Sequence, residues 1–125
     1  MDDYSRYCRV FTSPGGFTVL VARSAADSEF LTFDIATGSD LFFHVAATPG
    51  AHTILVRPDG STEVPKTDLE FAARQAALFS KQKNASRVPV HYTEIRHVRR
   101  APGPYRGTVL VSKERKIVVR LSGAD

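Results

Sequence analysis

Asp40, His44 and His52 are the residues best placed for chemistry in this chain, carried by Asp40-Leu41-Phe42-Phe43-His44-Val45 and Pro49-Gly50-Ala51-His52-Thr53-Ile54-Leu55-Val56. A carboxylate beside two imidazoles can ligate a metal, relay protons, or donate to phosphates and bases; it can also simply tie a turn together. Metal binding is poorly supported, because two histidines fill only half of a tetrahedral zinc shell and the single cysteine, Cys8, lies far away in sequence. Catalysis is no better served. Ser39 or Ser80 can be drawn beside His44 and Asp40, but there is no Gly-x-Ser-x-Gly, Walker loop or His-Glu-x-x-His. The chain therefore reads as a non-enzyme with no metal or cofactor. Two readings of the histidines stay open: satisfied polar residues that tie the Pro49-Gly50 turn through Asp40, or a ligand-contacting pair.

The elements that hold these residues follow from the flanking pattern. Leu41–Val45 is aromatic and β-branched and follows the turn-forming Gly38-Ser39-Asp40, so it reads as a buried strand. Alternation sets His44 on one face with Phe42, and His52 with Ile54 and Val56, so that the two imidazoles are expected to converge, with Asp40 orienting one ring. Arg9–Thr12 and Phe17–Val21 flank Ser13-Pro14-Gly15-Gly16, a hairpin signal. A short helix or turn is expected within 25–36, and a turn at Arg57-Pro58-Asp59-Gly60-Ser61.

Thr67 with Glu70 three residues on predicts a capped helix start, and Leu69, Ala72, Ala73, Ala76 and Phe79 continue at helical spacing to about Lys83. Val88–Arg99, Gly107–Ser112 and Lys116–Leu121 alternate like strands, with Tyr92 pointing inward and Ser112-Lys113-Glu114-Arg115 as the last hairpin turn. The fold class is α+β: one domain over 1–125, with a curved, mainly antiparallel sheet packed on one main helix.

At 125 residues the chain can bury a core without staples, and one cysteine excludes an internal disulfide. Neither a signal peptide nor a membrane span is expected, which fits a reduced, cytoplasmic protein. The formal charge of +4 is unevenly spread: residues 1–60 hold 4 Lys/Arg against 7 Asp/Glu, and residues 61–125 hold 13 against 6. Lys81, Lys83, Arg87, Arg96, Arg99, Arg100, Arg106, Lys113, Arg115, Lys116 and Arg120 face only Glu94 and Glu114. Such a concentration suits a polyanion, and a solvated basic face is the alternative. Interleaving with His91, Tyr92, His97 and Tyr105 favours nucleic acid, because rings beside cations suit unpaired bases.

Asp-x-aromatic-x-His, a short gap, then Pro-Gly-x-His and an apolar strand resembles the NFACT RNA-binding domain (NFACT-R), the C-terminal module of ribosome quality-control factors that bind stalled large subunits and tRNA. The likeness continues through Phe17–Arg23, Phe30-Leu31-Thr32-Phe33, the Ala72-Ala73 to Ser80 segment, Val90-His91-Tyr92-Thr93, Val98-Arg99-Arg100 and Gly107-Thr108-Val109. Departures are Phe42 where the family has tryptophan, Ala22-Arg23-Ser24 for its Gly-Arg-Asn turn, Asp27-Ser28-Glu29 for an asparagine-rich stretch, and Asp34 for a lysine. Phe42 keeps a ring but loses the indole donor.

The resemblance implies a stand-alone module that binds tRNA or ribosomal RNA, and through it the large ribosomal subunit. Its contacts would be Asp40, His44 and His52, with Arg96, Arg99 and Arg100 beside His97 tracking the backbone and Lys81 and Lys83 as a second wall. A protein-interaction module is the rival class. A hydrolase or nuclease using His44 and His52 is the more distant one.

Overall fold

The computed structural model describes residues 5–46, 51–60, 62–103 and 108–121. Strands β1 (Cys8–Thr12) and β2 (Thr18–Ala22) form the expected hairpin, closed by Ser13 N donating to Phe17 O, with Gly16 at φ +94° where a side chain is disfavoured. Helix α1 (Ala25–Phe30) is capped by the Ser24 hydroxyl, which accepts from Asp27 N, and widens into a π turn over Leu31–Ile35. Then follow β3 (Leu41–Val45), β4 (Thr53–Leu55), α2 (Lys66–Leu78), β5 (Arg87–Glu94), a 3₁₀ turn (Ile95–His97), β6 (Val98–Arg100), β7 (Val109–Val111) and β8 (Arg115–Arg120). Six strands make one antiparallel sheet in the order β1-β2-β4-β3-β5-β8, and β6 pairs with β7 in a separate small sheet.

Strand alternation divides the interior in two. Leu41, Phe43, Val45, Leu55, Val88, Val90 and Val119 face α2, whose Ala72, Ala73, Ala76 and Ala77 are buried against them. Four alanines keep the helix axis close to the sheet, so one enlarged side chain there costs about 1–3 kcal/mol by overpacking. Phe42, Leu20, Ile54 and Cys8 face the other way, covered by Leu31 and Val98 with Val109 and Val111. Tyr92 points to the helix side as expected, its ring stacked 5.3 Å from Phe43.

Several expected boundaries move, some for tertiary and some for local reasons. The extended residue before α2 is Pro65, and Thr67 provides no side-chain cap. Asp68, only 1% exposed, accepts instead from Ser13 Oγ at 2.6 Å and from Gly15 N at 2.7 Å, clasping the first hairpin to the helix start. A Cβ on Gly15 would lie 2.6 Å from Asp68 Oδ2, so that close approach requires glycine. The helix ends at Leu78, not near Lys83: Ser80 Oγ donates to Ala77 O and accepts from Gln82 N, which turns the chain away.

The long strand read over 88–99 is interrupted after Glu94, where Ile95 N bonds Asp40 O and Arg96 N bonds Gly38 O. The expected hairpin at Ser112–Arg115 is a crossing from the small sheet to the large one, with Lys113 at φ +54°. The Pro49-Gly50 turn, Tyr105, Arg106 and Gly107 lie outside the described residues.

Candidate nucleic-acid interface

Asp40 does not orient an imidazole. Its carboxylate accepts from Thr37 N at 2.9 Å and from Arg57 N at 2.8 Å, and so fixes the loops at one end of β3 and β4. His52 is 4% exposed; its Nδ1 lies 2.6 Å from Thr32 Oγ1 and its ring meets Phe42 edge-on at 4.9 Å. The β3–β4 ladder ends at Phe43–Thr53, and each imidazole makes its polar contact elsewhere. His52 sits in the second core. His44 turns toward β5 and β8.

Pairing of β3 with β5 places His44 opposite His91, and pairing of β5 with β8 places His91 opposite Lys116. Glu114, just before β8, lies with Oε2 2.7 Å from His91 Nδ1 and 3.5 Å from His44 Nε2. Among the described residues His44 Nε2 is buried, and Glu114 Oε2 at 3.5 Å is too distant and poorly aligned to satisfy it as a full hydrogen bond. Burial pushes the His44 pKa below its ordinary value; Glu114 opposes that shift and His91 adds to it. Side-chain donor atoms of His44, His91 and Glu114 all lie within 4.8 Å of one another, so the fold supplies the third ligand that sequence spacing did not.

Continuing along this face, alternation from the buried Val88, Val90 and Val119 turns Arg87, Pro89 and His91 of β5, and Lys116, Val118 and Arg120 of β8, away from α2. Arg87, Lys116 and Arg120 are exposed, and Val118 is 49% exposed. Arg87 stands directly opposite Arg120, a like-charge pairing that costs stability in a ladder.

The cations expected to form one groove are dispersed. Lys81 and Lys83 follow α2 before β5 begins, and Arg96, Arg99 and Arg100 follow its end, so a strand about 26 Å long separates them. Arg99 is exposed on β6. Arg100 is held by Glu29 at 3.2 Å, with its guanidinium 4.6 Å over the Phe33 ring. Arg96 lies 3.1 Å from Glu94, which also pairs with Arg57 and is 3.8 Å from His97. Sequence reasoning missed Glu114, and noticed His91 only as a ring among cations; strand register across distant segments was the missing signal.

A family model described as the NFACT protein RNA binding domain matches residues 7–113. A protein described as Rqc2 homolog RqcH from Bacillus subtilis (strain 168) is 35% identical over 109 residues, covering 87% of this chain and 18% of that protein. The Rqc2 homolog RqcH of Streptococcus suis (strain 05ZYH33) is 33% identical over 102 residues, covering 81% and 18%. This chain thus spans about a fifth of the length of these curated relatives. The solved C-terminal part of the fibronectin/fibrinogen-binding protein from Streptococcus suis (FBPS) superposes with a TM-score of 0.84 at 23% identity, covering 93% of this chain and 46% of that one. At that identity the likeness is one of fold, whereas the family match and the relatives establish membership: this chain belongs to the NFACT RNA-binding domain family.

Proposed function

We propose that this chain binds RNA, specifically tRNA or ribosomal RNA, in ribosome quality control, engaging the large ribosomal subunit through a basic surface in the cytoplasm. The match to the RNA-binding family model over residues 7–113 carries this reading. The excess of cations over 81–120, with Lys81, Lys83, Arg87, Arg99, Lys116 and Arg120 all exposed, supports it. Among the described residues no helix is long and apolar enough to cross a membrane. Phosphate contacts position an RNA without reading its sequence, and guanidinium forks suit phosphate oxygens.

The test is filter binding to unfractionated tRNA and to ribosomal RNA across a salt series. Neutralising about five phosphates predicts a log–log slope of roughly −3.5 to −4.5. A flat salt response contradicts this mode. Binding to protein partners that survives charge reversal, with RNA binding absent, favours the interaction-module reading instead.

A further inference from the structure

We propose that the His44–His91 pair is a phosphate site on the open β5–β8 face, that Glu114 occupies it in the free protein, and that the RNA backbone displaces Glu114 on binding. The inference rests on the RNA-binding reading and locates its contact. Three observations carry it. One is the imbalance at the pair itself: Glu114 Oε2 reaches His91 Nδ1 at 2.7 Å but stays 3.5 Å from His44 Nε2, which is buried and lacks a full hydrogen-bond partner among the described residues. A buried ring nitrogen served by so long a contact is costly, and one carboxylate oxygen does not serve both rings equally. A phosphate presents several acceptor oxygens at once.

The surroundings favour an anion over a metal ion. Lys116 is directly opposite His91 in the β5–β8 ladder, and alternation turns it to the same face. A divalent cation there meets the Lys116 ammonium on the same face; a phosphate meets complementary charge. The third observation is the Arg87–Arg120 pair, exposed and opposed on the same face. Its mutual repulsion is relieved by a bridging anion. Along β5 it lies four residues from His91, about 13 Å, so the strip offers two anion positions on one extended backbone.

Glu114→Gln removes the resident carboxylate charge, and Glu70→Gln on α2 makes the same charge change on the opposite side of the sheet. Binding to unfractionated tRNA is measured for the parent, both single variants, His91→Asn and the Glu114→Gln/His91→Asn pair, with thermal melts to confirm folding. Glu114→Gln is expected to tighten binding roughly two- to fivefold relative to Glu70→Gln, the range of a partly exposed ion pair. His91→Asn weakens binding and abolishes the gain in the double variant, a coupling that bulk charge does not produce.

Equal effects of Glu114→Gln and Glu70→Gln, in a parent that still binds RNA, overturn the site and leave the RNA reading standing. A parent that binds no RNA overturns both. If zinc raises the melting temperature of the parent but not of Glu114→Gln, the trio is a cation site and the proposal is wrong.

Discussion

The two sides of the main sheet spend their residues differently. Toward α2 the sheet offers Leu41, Phe43, Leu55, Val88, Val90 and Val119, interrupted by Thr53, whose buried hydroxyl has no hydrogen-bond partner among the described residues, and the buried Asp68 of α2 is satisfied by Ser13 and Gly15. On the other side the apolar cover of Phe42, Leu20 and Ile54 stops at β3; beyond it His44, His91, Lys116, Arg87 and Arg120 lie on a face that no described element covers. One side is given over to packing. The other carries a buried ring nitrogen whose polar neighbour is a carboxylate oxygen 3.5 Å away, and two opposed arginines, the features on which the proposed anion site rests.

That contrast is broken first at its packed side. Asp68→Ala removes the acceptor shared by Ser13 Oγ and Gly15 N and leaves both donors at the helix start, so chemical denaturation should show a loss of about 2–4 kcal/mol. Tested at a temperature where the variant remains folded, its RNA affinity should equal that of the parent. A variant as stable as the parent would show that the clasp is not the join between hairpin and helix.

A smaller effect sharpens the account of the open side. Burial holds the folded-state pKa of His44 below its ordinary value of 6.5, so the unfolded chain takes up the proton more readily. Above about pH 6.5 both states are neutral at this residue and its contribution is unaffected; on acidification below that value the unfolded state gains and the melting temperature falls. His44→Gln should therefore lose part of the acid destabilisation seen between about pH 7.5 and pH 5.5, measured as the difference between the two melting curves. Parallel curves would mean that the ring is solvated enough to titrate normally.

Much of the fold is legible in the sequence because its signals are local. Ser13-Pro14-Gly15-Gly16 announces the first hairpin, the alternation around Phe43 announces a strand with two unlike faces, and the alanines of 72–77 announce a helix lying close to a sheet. Its limits are not legible, since the Thr67–Glu70 capping pattern is overridden by the long-range demand of Ser13 and Gly15 on Asp68, and the Ser80 hydroxyl stops the helix before the favourable Lys81-Gln82-Lys83 run. The candidate site divides in the same way. His44 is singled out by its own strand, but its partners arrive through pairing with β5 and through Glu114 on the approach to β8, at separations that no spacing rule encodes. Asp40 and His52 carry the right chemistry in the sequence; in the fold Asp40 receives the backbone amides of Thr37 and Arg57, and His52 is engaged by Thr32.

The measurement that bears most directly on the open face as the RNA contact is the salt dependence of tRNA binding in Arg87→Glu/Arg120→Glu beside Arg99→Glu/Arg100→Glu. Reversing the first pair should flatten the log–log salt slope by about 1.4 to 1.8, two phosphate contacts, with an affinity loss of about tenfold or more at low salt and an unchanged melting temperature. The second pair should act less strongly on affinity and should lower the melting temperature, because Arg100 already serves Glu29 and Phe33. An unchanged slope in the first pair, with the whole loss falling on the second, would contradict the account and move the RNA contact to β6.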